Sequence, residues 1–355
     1  MTTLEESFDD RLAEAAAVEF EYVDPRAFGR SWRRMRRDVR KFLLARLYRR
    51  VARRIVPMIQ AGDRAALHGY CARIRATLDR RAAAAGLAMI DSGAIEEFPL
   101  RDEDSGSIDY PPEETRWFRP RESRPENLLF YVHGGSFITD GSAEMTRVMS
   151  RLAVQAEAAM IRPAYRLAPE HPCPAAVDDI LKSYRWIVER QPDRPVVVVA
   201  ESAGCNIALV ALQRALAEGL PAPCGVILFS PFVDLALTSF SAIAHSILDR
   251  TSSGLDLTAL SVQLYLQGRI PTDALANPLF GSFENFPPML IHTSQADMLH
   301  DDALAIAERM RETNGALQVR VWTDEDHVWE QYESREADAS IAKAAEFARS
   351  LFRIR

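Results

Sequence analysis

The sequence predicts an α/β fold, a mostly parallel sheet covered by helices on both faces. Short apolar runs recur at Leu128–Val132, Ala158–Arg162, Val196–Ala200, Val226–Phe229, Met289–His292 and Gln318–Trp322. Helix-length segments alternate with them, at about 143–157, 175–190, 203–219, 301–314 and 333–353. A strand that is apolar throughout is buried on both faces, and its alternation with helices is the mark of a parallel sheet.

Two further strands are expected at Ala94–Leu100 and Thr115–Arg119, separated by a polar, Pro-rich turn region. Residues 235–280 interrupt the alternation and read as an insertion above the sheet. Residues 1–90 read as helices, because Arg, Ala, Leu and Glu dominate and Pro25 and Pro57 are the only prolines.

The 355 residues are 48% apolar and 26% charged, which is ordinary globular usage and argues against global disorder. At this size no disulfide or metal is needed to hold a core. The net charge of −7 gives no general affinity for nucleic acid. The N-terminal MTTLEESFDD is acidic and has no apolar stretch, so no secretory signal is expected, and no run of 18 apolar residues predicts a membrane span. Cys71, Cys173, Cys205 and Cys224 form no C-x-x-C pair and fit free thiols in the cytoplasm.

The run PVVVVAESAGCNIALVALQRAL (195–216) is a buried strand, a tight turn at Ser202, and a helix beginning near Ala203. That is the layout of a nucleophile elbow, in which small flanking residues let the serine hydroxyl project at the carboxyl end of the sheet. The usual G-x-S-x-G reads here A-E-S-A-G, with Ala200 for the first glycine. A simple helix-capping serine is the bland alternative.

FYVHGGSF (130–137) follows an apolar strand. Its paired glycines, Gly134 and Gly135, allow backbone N–H groups to turn toward a ligand oxygen. A nucleophilic serine also needs a base, and the base an orienting carboxylate. Asp297 and His327 lie just beyond the ends of successive strands, in the chain order Ser, Asp, His. His292 falls inside a strand, His68 and His245 in helical or inserted segments, and His133 in the glycine loop. His171 is enclosed by prolines, and His300 opens a helix.

Together these elements resemble the hormone-sensitive-lipase-like branch of the α/β-hydrolases, bacterial esterases with an HGGG loop and a GDSAG elbow. The resemblance covers roughly residues 95–350. It extends to Tyr165-Arg166-Leu167-Ala168-Pro169-Glu170-His171-Pro172, to Asp178-Asp179, to Ser230-Pro231-Phe232 with Asp234, to Asn277-Pro278-Leu279, and to Asp297-Met298-Leu299 with Asp301-Asp302. It implies an α/β-hydrolase fold, with an eight-stranded core and a helical cap made from the N-terminus and an insertion. The expected division is a helical extension over 1–92 and a core over 93–355 carrying the insertion at about 235–280. The resemblance also implies Ser202 as nucleophile, His327 as base, Asp297 as its orienter, and oxyanion donors from Gly134, Gly135 and Ala203.

Three departures stand out: Ser136 for the third glycine of the loop, Ala200 for the first glycine of the elbow, and Cys205 for a glycine after it. Ser136 places a hydroxyl near the acyl or alcohol pocket. Tyr165–Pro172 and Asp178-Asp179 read as structural, bracing the oxyanion turn. Glu201 reads equally as an acid behind the site and as a surface or hydrogen-bonded residue. About 130 residues precede His133, more than in the simple bacterial members, which enlarges the N-terminal cap region.

Residues 26–54 hold 12 arginines and Lys41 against Asp38 alone, so this stretch carries +12 and the rest of the chain −19. Trp32, Met35, Val39, Phe42 and Leu43 trace one helical face. Three readings stand: a lid helix paired with the acidic body, a peripheral membrane surface, and a dock for an acidic carrier protein.

The expected activity is hydrolysis of short- to medium-chain acyl esters through an acyl-enzyme, with a small-molecule ester as substrate, no nucleic acid, and no metal or organic cofactor required. Its rivals are an acyltransferase, a lactone-forming cyclase or an eliminating enzyme on the same scaffold, and a non-catalytic ligand-binding protein.

Overall fold

The structure, a computed structural model, describes residues 18–23, 53–89, 95–98, 115–120, 125–248 and 254–353. Among the described residues nine strands form one sheet: β1 (Val18–Val23), β2 (Ile95–Phe98), β3 (Arg116–Pro120), β4 (Leu128–Val132), β5 (Ala159–Arg162), β6 (Val196–Glu201), β7 (Gly225–Phe229), β8 (Met289–Ser294) and β9 (Leu317–Trp322). Their order across the sheet is β1-β9-β8-β7-β6-β4-β5-β3-β2. Only β3 pairs antiparallel with its neighbours, β2 and β5. The eight expected strands are β2 to β9.

The helices are α1 (Arg64–Met89), α2 (Ala143–Gln155), α3 (Ala175–Arg190), α4 (Ala203–Ala217), α5 (Phe240–Leu248), α6 (Gly254–Leu266), α7 (His300–Glu312) and α8 (Arg335–Phe352). The central strands are buried along their whole length, and alternate residues enter two separate cores. Leu128, Phe130, Val132, Val196, Val198, Val226, Leu228, Met289 and Ile291 face α3, α4 and α7. Leu129, Tyr131, Val197, Val199, Ile227, Phe229 and Leu290 face α2 and α8. Two apolar faces on each strand explain why the sequence reads as unbroken apolar runs rather than as alternation.

The helical reading of residues 1–90 needs correction at β1. VEFEYV adds a ninth strand, parallel to β9, with Phe20 beside Val319 and Tyr22 beside Val321. Phe20 packs against the main core, while Glu21 reaches the Arg320 guanidinium on β9. Six residues alternating in type, with β-branched and aromatic members, pair well on a half-covered sheet edge, and that local fit overrides the helix-forming composition around them.

The N-terminal α1 belongs to a separate apolar cluster. Leu67 and Cys71 pack with Ile55 against Leu260 and Leu264 of α6, and Ile138 joins this cluster. The basic stretch 26–54 lies outside the described residues except for 53–54, which begin a helical segment at 53–60. Among the described residues no helix is long and apolar enough to cross a membrane.

Parallel pairing aligns the carboxyl ends of five strands. Val132 lies beside Ala200, Glu201 beside Phe229, Phe229 beside His292, and Ser294 beside Trp322. The loops leaving β4, β6, β7, β8 and β9 therefore open on one edge of the sheet, where ligand chemistry concentrates in such folds. Gly134, Ser202, Ser230, Asp297 and His327 all lie on these loops.

Candidate active site

Ser202 sits between β6 and α4 with φ 50° and ψ −127°, a conformation few residues with a side chain adopt. Its N–H donates to Phe229 O at 3.0 Å, and its carbonyl accepts from Cys205 and Phe232 N–H at 3.0 and 3.2 Å. The turn is held closed by the strand beside it. Gly204 is required here, because a Cβ at that position would lie 2.4 Å from both Val132 O and His133 O. Ala200 is accommodated in the buried interior of β6. The Cys205 thiol is buried, points to Phe229 O at 3.8 Å, and is kept protonated by burial.

The structure brings together the three residues expected to act as a relay. The Ser202 hydroxyl donates to His327 Nε2 at 2.9 Å, and His327 Nδ1 donates to Asp297 Oδ2 at 2.8 Å. The carboxylate only accepts, which fixes the imidazole proton on Nδ1 and leaves Nε2 able to receive the serine proton. The Asp297 side chain is fully buried, whereas the His327 ring is 38% exposed.

Burial disfavours the Asp297 anion, but His327, the Leu299 N–H and the Ser230 hydroxyl outweigh it and hold this carboxyl below its ordinary range. Burial likewise disfavours imidazolium at His327, but the Asp297 carboxylate outweighs it and sets the ring's pKa above that of a free histidine. The pair is thus arranged to tolerate a transient positive charge on His327.

Ser230 is a member of this assembly that sequence reasoning assigned no role. Its buried hydroxyl accepts the Val328 N–H at 3.1 Å and is among the groups that hold the Asp297 carboxyl down. Its own N–H donates to His292 O at 2.8 Å. The available signal was its place at the carboxyl end of β7, level with the other strand ends, followed by Pro231.

The loop after β4 packs directly on the nucleophile: a Cβ on Gly134 would lie 3.0 Å from Ser202 Cβ. Gly135 has φ 115°, and a Cβ there would lie 2.4 Å from Thr139 O, so both conformation and space demand glycine. The N–H groups of the three expected oxyanion donors are not equivalent. Gly134 N–H already donates to Glu201 Oε1 at 2.9 Å, an oxygen that also accepts from Tyr131 Oη at 3.0 Å. Glu201 is therefore buried and hydrogen-bonded, and burial lifts its pKa above the ordinary value despite these donors. Ser136 is half-buried with φ 54°.

Tyr165, in the stretch expected to be structural, packs on this loop, and Arg162 and Arg166 make further contacts around it. The Tyr165 ring stacks on His133 with centroids 4.2 Å apart, and its hydroxyl donates to His133 O at 2.8 Å. His133 Nε2 lies 3.1 Å from Asp140 Oδ1, which also accepts from Arg162 at 3.0 Å. Arg166 grips both oxygens of Asp179 at 2.8 Å. Such a two-pronged contact fixes direction as well as charge. Among the described residues no group of three or more His, Cys, Asp or Glu is arranged to hold a metal ion.

Comparison with known proteins agrees with this geometry. The family model described as the alpha/beta hydrolase fold matches residues 129–331. An acetyl-hydrolase from Streptomyces hygroscopicus is 33% identical over 217 residues, covering 61% of this chain and 72% of that protein. An esterase from Acinetobacter venetianus is 30% identical over 231 residues, covering 63% and 75% respectively. The crystal structure of an esterase from the bacterial hormone-sensitive lipase family superposes with a TM-score of 0.65 at 27% identity, covering 73% of this chain and 85% of that one. The matched span carries the elbow, the glycine loop, the acid and the histidine, and on these grounds the chain belongs to the α/β-hydrolase fold family, in the hormone-sensitive-lipase-like branch of its carboxylesterases.

Proposed function

We propose that this protein hydrolyses carboxylic esters of short- to medium-chain acids, with Ser202 as nucleophile, His327 as general base and acid, and Asp297 as the orienting carboxylate. The observation that carries the reading is the continuous relay from Ser202 Oγ through both ring nitrogens to Asp297, at 2.9 and 2.8 Å. His327 Nε2 takes the hydroxyl proton as Ser202 Oγ bonds to the acyl carbon. The carbonyl oxygen becomes an oxyanion, stabilised by backbone N–H groups of Gly135 and Ala203. Gly134 orders the loop through Glu201 and adds its N–H only to the extent that Glu201 shares it. His327 then passes the proton to the departing alkoxide, which leaves as the alcohol. A water molecule deprotonated by His327 attacks the acyl-enzyme in turn, and the acid and free Ser202 are restored.

The acyl length rests on the likeness to an acetyl-hydrolase. The packing of α1 on α6 beside the glycine loop supports a cap role for these helices. A reducing cytoplasm suits the four free thiols, three of them buried.

Hydrolysis of p-nitrophenyl esters from acetate to palmitate, with wild type beside Ser202→Ala, tests this proposal. Activity restricted to the shorter esters and absent from the variant is expected. Equal activity in both proteins would remove Ser202 from its role, and a maximum at palmitate would remove the chain-length assignment.

A further inference from the structure

Arg75 lies on α1, far in sequence from every residue of the relay, yet its guanidinium is largely buried against the loop that follows Gly134 and Gly135. Nε donates to Ile138 O at 3.0 Å, Nη2 donates to Ala168 O at 3.3 Å, and Nη2 also pairs with the Glu170 carboxylate. These acceptors belong to two segments that already touch, since Ala168 N–H donates to Phe137 O at 3.0 Å. One planar fork therefore clamps the end of the glycine loop to the Tyr165–Pro172 segment.

The clamp acts on a stretch of unfavourable backbone conformation. Gly135, Ser136 and Phe137 are consecutive left-handed residues, at φ 115°, 54° and 66°. Conformations of this kind are unfavourable for residues with side chains and persist only when surrounding contacts over-determine them. The inner contacts run from the next turn back to Gly135: its carbonyl accepts from Ile138 N–H at 3.1 Å, Thr139 N–H at 3.0 Å and Thr139 Oγ1 at 3.0 Å. Ile138 is thus the link. Its N–H holds Gly135, its carbonyl is held by Arg75, and its side chain packs in the cluster of Ile55, Leu67, Cys71, Leu260 and Leu264.

We infer that Arg75 is a positioning residue for the oxyanion loop, so that the N-terminal helix sets the reactivity of the site as well as covering it. This rests on the ester-hydrolase reading for its kinetic consequence. A change that frees α1 releases Ile138 O, loosens the turn that grips Gly135, and misaims the Gly135 N–H at the forming oxyanion. Lysine cannot replace arginine here, because a single ammonium lacks the fork that spans two carbonyls and a carboxylate.

The test compares full-length wild type, Arg75→Ala, Arg75→Lys and Arg73→Ala. Arg73 lies on the same helix, near the Tyr70 ring, and controls for loss of one positive charge. Kinetics on p-nitrophenyl acetate, too small to need a cap contact, are read beside hydrogen exchange of residues 134–141 and thermal unfolding. Both Arg75 variants are expected to lose about 10- to 100-fold in kcat with KM little changed, as for a misplaced reacting group. Exchange in 134–141 is expected to quicken while β6 and α4 stay protected, and Arg73→Ala is expected to match wild type. Arg75→Lys keeps the charge opposite Glu170, and so reports on the clamp if Arg75→Ala loses its fold. Wild-type kcat and unchanged exchange in Arg75→Lys would overturn the inference, and so would equal losses in Arg73→Ala. If wild type itself cleaved no ester, the hydrolase reading would fall, and the exchange comparison would still decide whether Arg75 holds the loop.

Discussion

The Ser230 hydroxyl accepts the Val328 N–H at 3.1 Å, one residue beyond His327, and the same buried group helps to hold the Asp297 carboxyl down. A single buried side chain therefore ties the acid to the loop that carries the base. Ser230→Ala is expected to lower kcat by up to about 100-fold, the scale of a small misplacement of a reacting group, with KM little changed. The acid limb of kcat/KM is expected to move, because the charge balance on Asp297, and with it the pull on His327, changes. Steady-state kinetics from pH 5 to 9 would show it, and an unaltered profile with unaltered kcat would mean that Ser230 is only a packing residue.

In the proposed mechanism His327 must be neutral to accept the Ser202 proton, and Asp297 raises its pKa above that of a free histidine. Activity is therefore expected to rise with pH through a limb lying above about 6.5, the ordinary imidazole value. Asp297→Asn reverses the bias: the limb moves down, and kcat falls by about 10⁴-fold, the loss typical when the orienting carboxylate of such a relay is neutralised. A variant retaining more than a tenth of wild-type kcat would count against Asp297 as the orienter.

Gly204 allows α4 to approach the end of β4, which places Ser202 against Gly134. In Gly204→Ala the new methyl meets two backbone carbonyl oxygens at 2.4 Å, neither of which can swing aside as a side chain would. Overpacking of this kind costs about 1–3 kcal/mol or more. The expected result is a lower Tm together with loss of Ser202 labelling by a phosphonate probe. Unchanged labelling would show that the turn relaxes freely.

Asp302, near the start of α7, is buried and accepts N–H groups of Val233 and Asp234 at 2.5 and 2.8 Å through one oxygen. Burial, with Asp234 and Asp297 nearby, raises its pKa to about 8. A carboxyl with a raised folded pKa stabilises fully below its unfolded value of about 4, and that contribution is lost as pH rises through the folded value. Thermal unfolding at pH 6 and pH 9 is expected to show a fall in Tm for wild type and a smaller fall for Asp302→Asn. Identical slopes for the two proteins would place the titration elsewhere. Glu330, also buried and raised to about 8, supplies an independent contribution of the same sign.

Most of the fold was written in local patterns. Fully buried parallel strands must be apolar throughout, so β4 to β9 announced themselves, and the helices between them did the same through length and composition. That Ser202, Asp297 and His327 lie at one edge of the sheet was legible because each follows the end of a parallel strand. Residues 18–23 escaped because six residues of alternation are weak against a surrounding composition that favours helix.

What the amino-acid sequence determined by itself is the framework: strand positions, the strand-to-helix turn at Ser202, the glycine loop, and the placement of Asp297 and His327 just past strand ends. The tertiary structure decided which partner each polar group takes. That Gly134 N–H donates to Glu201, that Ser230 accepts the Val328 N–H, and that Arg75 reaches Ile138 and Ala168 depend on contacts between residues 63 to 98 positions apart. Local periodicity specifies which face of an element is apolar. It carries no information on where a long side chain or a buried hydroxyl ends, because that is set only when separate elements pack and each buried polar group must find a partner.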